Sequence, residues 1–266
     1  MDFKYALPFP YLSKKQSVDS TLLFYDNFKD KISYFYIGLP SLDLYNNQID
    51  YDYEEKCDEF LRLTYGLYKR VLYISPSVAM FGKRPLLEYL IDNVFPVIEK
   101  YSFDGVYCWN FNMAVYVHEH YPGISIYLYP GISVKPLSMK FWKAYGGVSG
   151  FSITGDMFLD DDFINSVIGC EYSCIITLNE KCSICCRLQN KIGEYADRYG
   201  FCKNCTFNNL KGFIPPVVWH ERNNGLFVGF ISGYMKNFCW NRKVFLNYLR
   251  GFTIGNSDFI IAANNN

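Results

Sequence analysis

Two residues separate Cys182 from Cys185, two separate Cys202 from Cys205, and sixteen lie between the pairs. A two-residue gap lets both thiolates of a pair turn toward one ion, and the whole spacing falls in the window of a four-thiolate zinc site. The same pairs can hold an iron–sulfur cluster, for which Cys186, Cys174 and Cys170 offer further ligands. Spacing alone does not choose the metal. Seven of the ten cysteines fall between Cys170 and Cys205, whereas a disulfide framework would spread them along a smaller secreted chain. Metal binding by at least four of the seven is therefore expected. Cys57 on an apolar helix face, Cys108 inside a strand and Cys239 are expected in the core.

The next candidates for chemistry are polar residues at the ends of predicted strands, where barrel enzymes carry their catalytic groups. Asp156, Asn110, Asn179 and Glu180 hold such positions, and Asn112 shares the logic of Asn110. His118 and His120 stand two apart on a predicted helix, so they face different ways and are expected in solvent. His220, beside Trp219 and Glu221, is expected to be a loop residue. Asp160, Asp161 and Asp162 open a helix, where capping and the macrodipole account for them. The absence of HExxH, GxSxG and paired carboxylates leaves a hydrolytic protease without support.

The elements that must position these groups follow one grammar, a short apolar strand ending in Gly, Pro, Ser or Asn and then a helical stretch. Predicted strands are Ile32–Leu39, Val71–Ile74, Gly105–Trp109, Ser125–Leu128, Phe151–Ile153 and Ser173–Leu178, the sixth running straight into the cysteines. Leu226–Ile231 and Phe259–Ala262 are candidates for the final strands. Tyr53, Cys57, Phe60, Leu61, Thr64 and Tyr68 recur at helical steps with acidic residues opposite, which predicts an amphipathic helix. Pro85 opens another helix that Pro96 should kink or end early. Strands alternating with helices make a parallel sheet that right-handed crossovers can close. No GxGxxG or GxxxxGK[ST] follows the first strand, so the expected fold is a TIM-barrel-like (β/α) barrel, incomplete or closed, rather than a nucleotide-binding sheet. One domain over 1–266 is expected, with a metal-binding Cys-rich segment at 170–205.

Composition limits the partners. The 26 basic and 26 acidic residues cancel, so no whole-protein field draws nucleic acid or an anionic membrane. No run of 18 apolar residues spans a bilayer, and the first fifteen residues lack the halves of a signal peptide, so the expected location is cytoplasmic. The 24 Tyr, 23 Phe and 4 Trp spread evenly and read as a composition bias. Lys203, Lys211, Arg222, Lys236, Arg242 and Lys243 make the last third basic, which is usually a solvated surface.

The run from Cys174 through Asn179, Cys182, Cys185 and Cys186 to Arg187, an apolar strand leading into Asn and Cys-x-x-Cys with an Arg nearby, resembles the collagenase-like peptidase family U32. The strand ends Asn110-Phe111-Asn112, Tyr129-Pro130-Gly131 and Thr154-Gly155-Asp156 are similar to that family's polar barrel loops, and the likeness extends over about Ile32 to Ile231. The resemblance implies a 4Fe-4S cluster on Cys182, Cys185, Cys202 and Cys205, with Cys186 or Cys174 as replacements. It also implies support of hydroxylation, or a related modification, of a small molecule or RNA base. The competing expectation is a zinc-stapled, non-enzymatic module that binds a partner protein.

Overall fold

The computed structural model describes residues 3–13, 15–42, 51–74, 82–129, 136–153, 157–158, 160–167, 173–178, 219–220, 222–223, 225, 227–231 and 237–251. Eight parallel strands close into a barrel in chain order: β1 Lys4–Pro8, β2 Ile32–Ile37, β3 Arg70–Tyr73, β4 Gly105–Cys108, β5 Ser125–Leu128, β6 Val148–Ile153, β7 Ser173–Thr177 and β8 Phe227–Phe230. Closure is made by β1 against β8, with Lys4 opposite Val228 and Ala6 opposite Phe230. The expected TIM barrel is present, and it is complete.

One strand lies where no pattern in the sequence predicts one. Lys4-Tyr-Ala-Leu-Pro is short, begins on a charge and ends on proline, yet it has a partner on each side in the closed sheet. The β8 strand comes from the Leu226–Ile231 run, while Phe259–Ala262 lies outside the described residues. The Cys-rich segment therefore follows the seventh strand, not the sixth.

The helices form the outer ring: α1 Val18–Asp26, α2 Tyr51–Leu63, α3 Lys83–Tyr89, α4 Phe95–Tyr101, α5 Phe111–His120, α6 Pro136–Gly146, α7 Asp161–Val167 and α8 Phe238–Arg250. On α2 the predicted face is the buried one, with Tyr53, Cys57, Phe60 and Leu61 against the sheet. Pro96 acts as anticipated: lacking an N–H, it starts α4 behind a single π-helical turn, Leu90–Val94, that joins α3 to α4. Asp160 caps α7, its carboxylate accepting from the backbone of Asp162 at 3.0 Å and Phe163 at 3.2 Å.

Each strand presents alternate residues to two different cores. The outward set, including Tyr5, Leu7, Phe35, Leu72, Val106 and Phe151, packs under the helices. The inward set fills the barrel in layers drawn from alternate strands. Tyr34, Gly105, Gly150 and Val228 lie lowest, then Ala6, Val71, Tyr127 and Ile175, then Tyr36, Tyr107, Ser152 and Phe230 toward the carboxyl ends. Glycine at 150 leaves room for the Tyr127 ring beside it. A Cβ there would meet Ser173 O at 2.6 Å and the Tyr127 ring at 3.1 Å. Gly150→Ala is expected to cost about 1–3 kcal/mol by overpacking, read from the urea midpoint.

Candidate functional site

Above the Tyr36 layer the barrel opens at the carboxyl ends of its strands. Pro8, Tyr73, Tyr129 and Thr177 form the next inward layer, and Trp109 stands above Tyr107 at the end of β4. Tyr73, Trp109 and Tyr129 are half-buried. Their rings touch: Trp109 lies 4.8 Å from Tyr129 and 5.6 Å from Tyr73 between centroids, and Tyr73 lies 5.4 Å from Tyr36. The Trp109 indole N–H donates to Ile74 O at 2.7 Å, which fixes the ring in place.

The polar atoms below are mostly satisfied inside the barrel. Tyr36 donates its hydroxyl to Ile231 O at 2.7 Å, and Tyr107 shares a hydrogen bond with the Ser152 hydroxyl. The Tyr34 hydroxyl is buried without a hydrogen-bond partner among the described residues. Burial first, then Tyr127, Tyr107 and Tyr36 close by, hold its pKa well above the ordinary phenol range, so it stays a neutral phenol. The described part of the mouth is an aromatic cup, formed by Tyr73, Trp109 and Tyr129.

Among the residues singled out from sequence, Asn110 is described, and it has a structural task. Its side chain accepts from Met113 N at 2.9 Å and caps α5 at the mouth. Asn110→Ala is expected to lower stability by about 1 kcal/mol. Denaturant unfolding checks this, and unchanged stability would return Asn110 to the chemical candidates. Asp156, Asn179, Glu180, Cys182, Cys185, Cys186, Cys202, Cys205 and Cys170 lie outside the described residues. Asp156 follows the end of β6 by three residues, and Asn179 follows the last described residue after β7. Cys174 is buried in β7 on the outward face, in the core under the helices, while its neighbour Ile175 points into the barrel.

Cys57 and Cys108 are buried as expected, and burial pushes both thiols well up from their ordinary range, which makes them inert. Cys239 is exposed on α8 rather than in the core, because its place in the first turn turns it outward, where Gln16 donates to its sulfur at 3.9 Å. His120 is exposed, with its Nδ1 2.9 Å from Tyr116 O. His118 is not in solvent: its half-buried ring sits on Gly147, where a Cβ would be 2.2 Å from Nδ1 and φ is +57°. His220 Nε2 is 2.6 Å from Tyr248 O, a tie between the segment before β8 and α8. Of the basic set, Arg222 pairs with Asp161 and Arg242 lies over the Phe24 ring, so these two do not form one patch. Lys203, Lys211 and Lys236 lie outside the described residues.

The aromatic mouth was passed over in the sequence because aromatic residues are common throughout. The usable signal was their two-residue step at strand ends, as in Tyr34/Tyr36, Tyr107/Trp109 and Tyr127/Tyr129. At the opposite, amino-terminal end an open groove is lined by Lys69, Glu99, Asp104, His120 and Ser125 among others. No group of three His, Cys, Asp or Glu placed to hold a metal occurs among the described residues, and none of their helices is long and apolar enough to cross a membrane.

No family model and no curated protein matches the chain. Among solved structures, the U32 peptidase Mk0906 superposes with a TM-score of 0.52 at 7% identity, covering 87% of this chain and 94% of that one. An apo-form structure assigned as a deoxyribose-phosphate aldolase, from Toxoplasma gondii ME49, gives a TM-score of 0.41 at 10% identity over 94% of this chain and 95% of that one. The U32 structure shares the fold at an identity where fold alone is compared.

Proposed function

We propose that this chain is an iron–sulfur barrel enzyme, or a subunit of one, that supports hydroxylation or a related modification of a small molecule or RNA base. The observation that carries the reading is placement. β7 ends at Thr177, and the excursion from there to Phe227 contains both Cys-x-x-Cys pairs. It leaves the barrel at the carboxyl end, the end at which such folds carry chemistry. The fold likeness to a U32 peptidase agrees with the family resemblance of the Cys174–Arg187 run.

The donor set suits the group. Cys182, Cys185, Cys202 and Cys205 supply four thiolates within one excursion, and Cys186 adds a spare. A thiolate-held cluster supplies one-electron transfer when bound. The rest of the work falls to the chain itself. Trp109, Tyr73 and Tyr129 offer flat faces on which a planar substrate can stack, and their bulk keeps water out of the barrel. With no charge in the described part of the cup, selection there rests on shape and stacking.

Metal analysis of protein purified without oxygen tests the reading. It predicts about four irons per chain, matching acid-labile sulfide and a broad visible absorption. Zinc with no iron would overturn it and make the segment a structural staple.

A further inference from the structure

Below the Tyr34 layer, at the amino-terminal end of the barrel, the inward positions are Lys4 on β1, Lys69 just before β3, Ser125 on β5 and Ser173 on β7. Lys4 lies opposite inward Val228, Ser125 opposite Gly105 and Ser173 opposite Gly150, while Lys69 is one two-residue step before inward Val71. All four are half-buried. Inward positions in such barrels are ordinarily bulky and branched. Here every member can donate a hydrogen bond and none is an acid. We propose that the amino-terminal opening of the barrel binds an oxyanion, a phosphate group, on Lys69, Ser125, Ser173 and Lys4. The inference goes beyond the proposed enzyme activity and does not depend on which metal the cysteines hold.

The state of each group selects an anion over a cation. The Lys69 ammonium lies 5.3 Å from the Tyr127 ring centroid and donates to the Ser125 hydroxyl at 2.9 Å, which confirms that it reaches into the barrel end. Among the described residues Lys69 has no carboxylate partner. An ammonium carries three donors, so two remain. Ser125 accepts the Lys69 bond, which leaves its own O–H to donate. The Ser173 hydroxyl has no hydrogen-bond partner among the described residues. Lys4 donates to Asp30 O, which holds its charge at the edge of the opening.

The nearby acids are already engaged. Asp104 precedes inward Gly105 and so faces outward, where it accepts from the Arg70 backbone at 2.8 Å and lies 3.4 Å from Nε. Glu99 accepts from the Tyr121 hydroxyl at 2.8 Å. A cation would find these carboxylates taken, whereas an anion finds Lys69 unpaired. Donors that arrive from four strands around the axis suit a tetrahedral group, whose oxygens diverge, better than a planar carboxylate with two. The groove of about 930 Å³ that Lys69 and Ser125 also line, with Phe103, Tyr121 and Pro122, gives room for an organic body behind the phosphate.

Isothermal titration calorimetry on the full chain tests this, with inorganic phosphate and phenyl phosphate as probes at an ionic strength fixed by sodium chloride. Saturable binding of one phosphate group per chain is expected. Tighter binding of phenyl phosphate would assign the ligand as a phosphate monoester with its body in the groove, and equal or weaker binding would assign it as free phosphate. Lys69→Met, which keeps the apolar stem and removes the charge, should weaken binding about tenfold or more, and Ser125→Ala or Ser173→Ala about threefold. Lys140→Met on the exposed side of α6 and Trp109→Phe at the opposite mouth should leave the affinity unchanged. No saturable binding of either probe, or undiminished affinity in folded Lys69→Met and Ser173→Ala, would overturn the proposal.

Discussion

Replacing Cys182 and Cys202 together by serine is expected to strip the protein of iron and sulfide while leaving the barrel folded. The change removes one thiolate from each Cys-x-x-Cys pair, and a serine hydroxyl, protonated at neutral pH, is a poor substitute for a thiolate. Cys57 and Cys108 cannot step in, being buried with thiols pushed up by that burial. The barrel itself is closed by the β7–β8 and β1–β8 ladders and packed by a core of described residues. Metal content should fall about tenfold or more, with the far-ultraviolet circular dichroism and the unfolding temperature close to those of the parent. Full iron in the variant would remove these cysteines from the ligand set. A structural zinc site would behave differently, because its loss takes folding free energy with it.

Arg70→Ala is expected to destabilise the described barrel strongly, by about 2–4 kcal/mol, through two buried carbonyls left without donors and the void left by the side chain. Arg70 stands at the start of β3, 2% exposed, with its head bound from three sides. Nη1 donates to Leu61 O at 2.9 Å, Nη2 donates to Ser102 O at 2.7 Å, and Nε lies 3.4 Å from an Asp104 carboxylate oxygen that also accepts from the Arg70 backbone at 2.8 Å. These bonds join the end of α2 to the turn after α4, where Ser102 takes a left-handed conformation with φ 52°. Truncation leaves the two carbonyls without their donor and opens a void beside the barrel wall. Asp104 is 44% exposed in its side chain and can turn to water, so Asp104→Asn should cost less than about 1 kcal/mol. Arg70→Met should fall between them, because it restores volume and not hydrogen bonds. Urea unfolding with an unchanged slope distinguishes these outcomes. A loss for Arg70→Ala no larger than for Asp104→Asn would contradict the assignment.

Much of the barrel was legible because a strand buried on both faces is a short apolar run, and the punctuation between runs is chemical. Ile32–Ile37, Gly105–Cys108 and Ser125–Leu128 announce themselves in this way. Lys4–Pro8 did not, since its pairing is supplied by strands far away in sequence, one of them at Phe227–Phe230. Side-chain direction was the harder inference. Cys174 and Ile175 look alike in a hydrophobic run, and only the register places Cys174 outward and Ile175 inward. Asn110 sat at a strand end as anticipated, yet the same position is the N-cap of the next helix, and capping accounts for it. The aromatic cup was hidden by abundance, because rings that are frequent everywhere stand out only when the two-residue step is read against the barrel axis.

The central proposal is that the two cysteine pairs hold an iron–sulfur cluster. Anomalous diffraction at the iron edge, from crystals grown without oxygen, tests it most directly. The account predicts iron scatterers in contact with Cys182, Cys185, Cys202 and Cys205. Zinc alone at those cysteines, or iron confined to the amino-terminal groove near Lys69 and Ser125, would contradict it.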